Sequence, residues 1–199
     1  MKLGLALGGG GAKGLAHIGI LKVLEQSGIQ PDMVVGTSMG ALIGAAFCSG
    51  ITSMELEALA RSITKRSMTD IFIPNFFSSG LISQEKVRHY LENTLGSENI
   101  EKLAHRFAAI ATDIETGERV VFDSGDLITA VLASISIPVV FPPVIHGSNL
   151  LVDGGLVDPL PVQYLVENRV DITIGVNVIA PLKKRSYPQN SNPARISVL

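Results

Sequence analysis

The pentapeptide Gly36-Thr37-Ser38-Met39-Gly40 sets a serine between two glycines, each two residues away, after the apolar run Met33-Val34-Val35 and before the small-residue run Ala41 to Cys48. This is the spacing of a nucleophile elbow, a sharp turn from a buried strand into a helix that lifts the serine hydroxyl out of the packing. The glycines answer a steric need, because strand and helix backbones come too close there for a Cβ. A chain carrying such a turn needs a covered strand before it and a packed helix after it. Ser38 is therefore the candidate nucleophile, with Gly36 and Gly40 supporting the turn.

A second strand–turn–helix unit precedes this one. Lys2 to Leu7 is a continuous apolar strand, suited to a sheet covered on both faces, and Gly8-Gly9-Gly10-Gly11-Ala12-Lys13-Gly14 follows it. Leu15, Ile18, Leu21, Val23 and Leu24 then recur at helical spacing up to Gly28. The first fifty residues thus read as a βαβα unit with parallel strands and a right-handed crossover.

Further along, Thr52 and Glu55 form a capping box for a helix to about Lys65. Asp70 to Gly80 is irregular and holds Phe72, Phe76 and Phe77, three of the seven phenylalanines; such a loop either folds back onto the core or touches lipid. Ser83 caps a helix bearing Val87, Tyr90, Leu91 and Leu95 on one face. Phe107–Thr112 and Arg119–Phe122 form a hairpin around Glu115-Thr116-Gly117-Glu118. Asp126 caps a helix over Leu127–Ala133, and Pro138, Pro142 and Pro143 make the next segment a rigid extended connector. Gly147-Ser148-Asn149 is a turn, Leu150–Val152 a short strand leading to Asp153-Gly154-Gly155, Pro161 the opening of a helix, and Ile172–Ile179 a last buried strand. The fold class is α/β: three layers, α/β/α, around a mainly parallel sheet with one antiparallel hairpin.

Length and composition set the outer limits. A chain of 199 residues suits one sizeable core. Residues 1–180 are expected to form that domain and the polar, proline-bearing 181–199 a linker or the start of a further C-terminal segment. Apolar residues make up 46% and charged residues 17%, below the usual fraction of about 25%, yet Gly and Pro interrupt every run long enough to span a bilayer. A net charge of −2 with dispersed Lys and Arg offers no field for nucleic acid. The one cysteine, Cys48, precludes an internal disulfide or a multi-cysteine metal site, sits among small apolar neighbours as a packed hydrophobe, and fits a reducing cytoplasm.

Three kinds of site use a glycine loop of this type. A dinucleotide site needs an acidic residue at the end of the next strand, and that strand ends in Gly36-Thr37-Ser38. A P-loop needs Gly-Lys-Ser or Gly-Lys-Thr, whereas Lys13 is followed by Gly14. The remaining use is an oxyanion hole, in which consecutive glycine N–H groups at a helix start face an oxyanion forming beside Ser38. Both loops follow strand ends on the same edge of a parallel sheet, where open α/β sheets bind ligands. Taken singly, each is also compatible with an ordinary tight turn.

Serine needs a base. An α/β-hydrolase triad runs Ser, acid, His, and no histidine follows Asp153. His17, His89, His105 and His146 are scattered; His17 reads as a packing or hydrogen-bonding residue near a helix start. Asp153 ends a short apolar strand before two glycines and is the stronger candidate. Burial beside a hydroxyl raises a carboxyl pKa and lets one Asp take the serine proton. An Asp-Gly pair is also a common turn, and Asp158, near two prolines, reads as a turn residue.

Together, Gly9-Gly10-Gly11-Ala12-Lys13-Gly14, Gly36-Thr37-Ser38-Met39-Gly40 and Asp153-Gly154-Gly155 resemble the three signature motifs of the patatin-like phospholipases. The stretch Ala133-Ser134-Ile135-Ser136-Ile137-Pro138-Val139-Val140-Phe141-Pro142-Pro143-Val144 is also similar to that family's connector, and the likeness runs from the first strand to about Val178. The resemblance implies lipid acyl hydrolysis by a Ser-Asp dyad, with Ser38 as nucleophile, Asp153 as base, Gly9, Gly10 and Gly11 with Met39 as oxyanion-hole donors, and no metal or cofactor. Lys13 either lends positive charge near the hole or is a solvated surface residue. Members often carry Asp-Gly-Ala where this chain has Asp153-Gly154-Gly155. The substrate class implied is a phospholipid or other fatty-acyl ester met in transient contact with a membrane surface. Acyl transfer by the same dyad, or a regulatory binding protein retaining the fold, are the other functions open to such a sequence.

Overall fold

Side-chain alternation in three neighbouring strands decides the layering. In β1 (Leu3–Leu7), β2 (Met33–Thr37) and β3 (Arg106–Asp113), Leu5, Leu7, Val34, Phe107 and Ala109 join one apolar core. The alternate residues Ala6, Met33, Val35, Ala108 and Ile110 join a second one. Strands buried on both faces need helices on both faces. The structure, a computed structural model, describes residues 1–62 and 83–179.

The helices are α1 (Ala16–Gln26), α2 (Met39–Cys48), α3 (Ser53–Ser62), α4 (Gln84–Leu95), α5 (Leu127–Ile135) and α6 (Val162–Glu167). The strands that complete the sheet are β4 (Arg119–Phe122), β5 (Val144–His146), β6 (Asn149–Asp153) and β7 (Ile172–Val176). Sheet order is β5-β6-β3-β2-β1-β7, with β4 paired to β3. Going from β1 through β2 to β3 the chain steps one way across the sheet, so right-handed crossovers place their helices on one face. Residues of α1 to α5 accordingly fill the larger core. The step back to β7, on the far side of β1, puts α6 on the opposite face, where Tyr164 and Leu165 close the smaller core.

The pairings β1–β2, β2–β3 and β1–β7 are parallel, and β3–β4 is the expected antiparallel hairpin. The segment read as an extended connector also supplies β5, which forms a second hairpin with β6, and β6 runs antiparallel along β3. Its pairing has a consequence for the site. β4 overlaps β2 at Ala109 and Ile110 and overlaps β6 at Ala111 and Thr112, and two strands cannot occupy the same edge of the same residues. β2 and β6 therefore share the other edge of β3 and run toward each other end to end. β2 stops with Thr37 opposite Ile110, and β6 stops with Asp153 opposite Ala111.

Most local signals are realised. The capping box closes, with the Thr52 amide donating to Glu55 Oε2 at 2.8 Å and the Glu55 amide to Thr52 Oγ1 at 3.3 Å. Asp126 accepts the Thr129 amide at 3.0 Å, whereas Ser83 occupies its N-cap without a side-chain bond. β7 departs from expectation: it is shorter than Ile172–Ile179 and partly exposed, with Ile172 at 41%, because among the described residues it lies at the end of the sheet order and pairs only with β1. The expected end of α3 at Lys65, the Asp70–Gly80 aromatic loop and the 181–199 linker lie outside the described residues. Among the described residues, no helix is long and apolar enough to cross a membrane.

Candidate active site

Ser38 sits between the end of β2 and the start of α2 with φ +55° and ψ −123°, a left-handed conformation unusual outside glycine and costly unless its surroundings enforce it. Three contacts do so. The Ser38 amide donates to Ser134 Oγ at 2.9 Å, the Ser38 carbonyl accepts the first helical bond from the Leu42 amide at 3.1 Å, and Thr37 Oγ1 donates to the Asp158 carbonyl at 2.8 Å. The flanking glycines are needed for close approach: a Cβ on Gly36 would overlap the Gly40 carbonyl and Ala41, and one on Gly40 would overlap the carbonyl of Leu7.

Asp153 arrives from the opposite direction at the end of β6. Ser38 Oγ donates to Asp153 Oδ2 at 2.6 Å, and the other carboxylate oxygen accepts the Gly155 amide at 2.7 Å. The Asp153 backbone is fixed on both sides, its amide donating to Ser136 O at 2.9 Å and its carbonyl accepting Thr112 Oγ1 at 2.9 Å. Gly154 lies against the Ile110 carbonyl, leaving no room for a side chain. Ser38 and Asp153 are 8% and 7% exposed. Burial pushes the Asp153 carboxyl above its ordinary pKa, and the bonds from Ser38 and Gly155 only partly oppose that shift.

The glycine loop lies beside this pair. A Cβ built on Gly9 would be 3.4 Å from Ser38 Cβ, in ordinary contact with it, which sets the loop backbone directly against the nucleophile. Gly9 does not have a free amide, however: it donates to Pro159 O at 2.9 Å, as Gly8 does to Val176 O at 3.0 Å. These bonds tie the end of β1 to β7 and to the segment before α6. The amides of Gly10, Gly11 and Met39 have no acceptor among the described residues. Gly14 leaves the space that Met39 occupies, which lets elbow and glycine loop touch. Lys13 is exposed, the surface position that one of its two sequence readings gave it.

His17 is completely buried on α1 and donates from Nε2 to the Gly8 carbonyl at 2.7 Å. A carbonyl only accepts, so Nε2 carries the hydrogen; Nδ1 has no partner among the described residues. Burial holds this imidazole below its usual pKa. The other histidines lie elsewhere: His105 stacks on Phe47, His146 meets Phe122 edge-on, and His89 lies on α4. Among the described residues, the carboxylate of Asp153 is the partner of the Ser38 hydroxyl. Cys48 is fully buried, which raises its thiol pKa. Asp158, read as a turn residue, also pairs with Arg119 at 3.2 Å.

The sequence profile described as "Patatin-like phospholipase" matches residues 5–166. The chain belongs to the patatin-like phospholipase family. An NTE family protein of Mycobacterium bovis is 36% identical over 177 residues, covering 89% of this chain and 49% of that protein. A lysophospholipase of Pyricularia oryzae is 32% identical over 182 residues, covering 88% of this chain and 12% of that protein. This patatin-like chain thus spans about half the length, or less, of these curated relatives. Among solved structures, the ExoU–SpcU complex of Pseudomonas aeruginosa aligns over 77% of this chain and 39% of its own at 20% identity, with a TM-score of 0.49.

Sequence reasoning missed Ser134 as a support of the elbow. It stood inside the quoted connector, but only α5 packed on β3 reveals what its hydroxyl meets.

Proposed function

We propose that this patatin-like domain is a serine lipid acyl hydrolase in which Ser38 attacks a fatty-acyl ester and Asp153 alone serves as base. The observation that carries this reading is the 2.6 Å bond from Ser38 Oγ to Asp153 Oδ2 at the convergence of the elbow and the glycine loop. Asp153 Oδ2 takes the hydroxyl proton as Oγ bonds to the ester carbonyl carbon. The resulting oxyanion is received by the amides of Gly10, Gly11 and Met39. The N-terminal end of α2 adds its favourable dipole. Gly9 stands outside this set, since its amide is already engaged by the Pro159 carbonyl.

Collapse of the tetrahedral intermediate breaks the bond to the alcohol oxygen, which leaves with the proton held by Asp153. A water then gives a proton to Asp153 and adds to the acyl carbon. The second collapse releases the fatty acid and returns the proton to Ser38 Oγ. The raised pKa of Asp153 brings the base closer in proton affinity to the group it serves. Residues 1–180 form the catalytic domain in this proposal. Its setting is the cytoplasm, where the domain meets phospholipid or another acyl ester at a membrane surface, acting as a phospholipase A or lysophospholipase.

A fluorophosphonate probe tests the nucleophile. Wild type is expected to be labelled and Ser38→Ala is not, with hydrolysis of short p-nitrophenyl esters lost in parallel. An unlabelled wild type, or equal labelling of both proteins, sinks the proposal.

A further inference from the structure

The peptide plane between Gly8 and Gly9 is held at both of its polar ends. His17 Nε2 donates to the Gly8 carbonyl at 2.7 Å, and the Gly9 amide donates to the Pro159 carbonyl at 2.9 Å. Both partners are themselves fixed: His17 is completely buried in the first turn of α1, and the carbonyl of Asp158, just before Pro159, accepts the Thr37 hydroxyl at 2.8 Å. Further along the loop the Gly10 carbonyl accepts the Lys13 amide at 3.2 Å, which opens the tight helical turn Gly11–Leu15. The Gly11 amide shares a peptide plane with that held Gly10 carbonyl. Between the two held planes lies one other peptide, the one that carries the Gly10 amide.

We infer that His17 is a positioning residue for the oxyanion hole: its bond to the Gly8 carbonyl fixes the plane from which the Gly10 and Gly11 amides are aimed beside Ser38, an assignment that rests on the hydrolase reading and adds what holds its donors in place. The run Gly8-Gly9-Gly10-Gly11 has the widest choice of φ and ψ open to a chain, whereas each peptide plane within it is rigid. Holding both polar groups of one plane therefore removes much of the freedom of the next amide. An oxyanion hole draws its strength from donors already in place before charge develops. The imidazole has no second bond: Nδ1 is without a partner among the described residues, and the Ser38 hydroxyl is taken by Asp153. An apolar side chain fills a buried place without leaving a ring nitrogen unpaired. What it cannot do is hold the Gly8 carbonyl, and that one bond is the use the loop makes of position 17.

The test separates the reach of the side chain from its polarity. In His17→Gln the amide nitrogen takes the place of Nε2 and still donates to the Gly8 carbonyl; in His17→Asn it takes the place of Nδ1 and falls short. Each protein is assayed with p-nitrophenyl acetate and with its thionoester, in which sulfur, a weak acceptor, replaces the carbonyl oxygen and gains little from the hole. A fault in folding or in the base lowers both substrates alike, so the oxo-to-thiono ratio of kcat/KM reports the hole. Loss of one oxyanion donor costs about 10²–10³ in kcat, so His17→Asn is expected to lower the ratio tenfold or more, through kcat with KM little changed. His17→Gln should restore it to near the wild-type value. An unchanged ratio in folded His17→Asn, or a ratio lowered equally in both variants, overturns the assignment while leaving a labelled Ser38 and the hydrolase reading intact. If His17→Asn does not fold, His17→Gln still decides: a folded Gln variant whose ratio falls tenfold overturns the assignment, and one that keeps it upholds the bond. Hydrogen exchange of the Gly9 amide, followed by NMR, needs no turnover: it should be at least tenfold faster in His17→Asn than in wild type and His17→Gln. Equal exchange in all three overturns the clamp whatever the fate of the hydrolase reading.

Discussion

Ser134 Oγ accepts the amide hydrogen of Ser38 at 2.9 Å and passes its own hydrogen to the Ile110 carbonyl at 2.6 Å. One buried hydroxyl on α5 thus joins the strained elbow to the central strand β3. Ser134→Ala leaves the Ser38 amide buried without an acceptor, at about 1–3 kcal/mol. Where the elbow relaxes in response, the nucleophile moves, and each 1.36 kcal/mol of lost transition-state stabilisation is about tenfold in rate. We expect kcat for a short ester to drop about tenfold or more with KM little changed. Unaltered kcat together with an unaltered melting temperature disproves the link.

Asp153 couples activity to stability in opposite senses. Burial raises its pKa in the folded state, so between the ordinary value of about 3.9 and the raised one the folded chain binds more protons than the unfolded chain. Stability contributed by the protonated carboxyl is therefore lost as pH rises through the folded pKa, where the catalytically useful carboxylate appears. Asp153→Asn removes that penalty, and its amide can still accept from Gly155 and donate to Ser38. The variant should lose hydrolysis by about 10²–10⁴-fold yet melt at or above the wild-type temperature at pH 7, the advantage shrinking toward pH 4. Retained activity, or a melting temperature well below wild type at pH 7, refutes this account.

How far the sequence reaches is visible in these two residues. Ser38 is legible because an elbow is a local object, fixed by two glycines and the strand and helix they join. Asp153 is legible as an acid at a strand end. That it meets Ser38 depends on β6 running head-on toward β2 along one edge of β3, and register between distant strands is not written in local periodicity. Ser134 was hidden for the same reason. Gly9 shows the converse limit: its place in the loop beside Ser38 was deducible, but the Pro159 carbonyl that engages its amide comes from a segment 150 residues away.

His17 offers a third test, through pH alone. Its pKa is lowered by burial, so between that value and the unfolded value of about 6.5 the unfolded chain binds more protons. Stability is then lost as pH falls below about 6.5. His17→Gln keeps an N–H for the Gly8 carbonyl but does not titrate. Its melting temperature should fall less steeply than wild type between pH 6.5 and pH 5, while the acid limb of ester hydrolysis stays where Asp153 sets it. A shifted acid limb in this variant gives His17 the role of base and removes it from Asp153.

The adjacent glycines after Asp153 should behave differently. A Cβ on Gly154 would overlap the Ile110 carbonyl of β3, a backbone group that cannot swing aside, so Gly154→Ala must push the base away from Ser38 or open the sheet. Gly155 is exposed, and a Cβ there would meet only Asp153 Oδ1, at 3.0 Å. That is tight, but a few tenths of an ångström of carboxylate movement relieves it without breaking the bond from the Gly155 amide. Measured on the same short ester, Gly155→Ala should keep kcat within about tenfold of wild type, a loss of at most about 1.4 kcal/mol. Gly154→Ala should lose at least about a hundredfold, or fail to fold at all. Equal tolerance at both positions means that Asp153 is not held against β3 by close backbone approach, and the placement of the base would need another explanation.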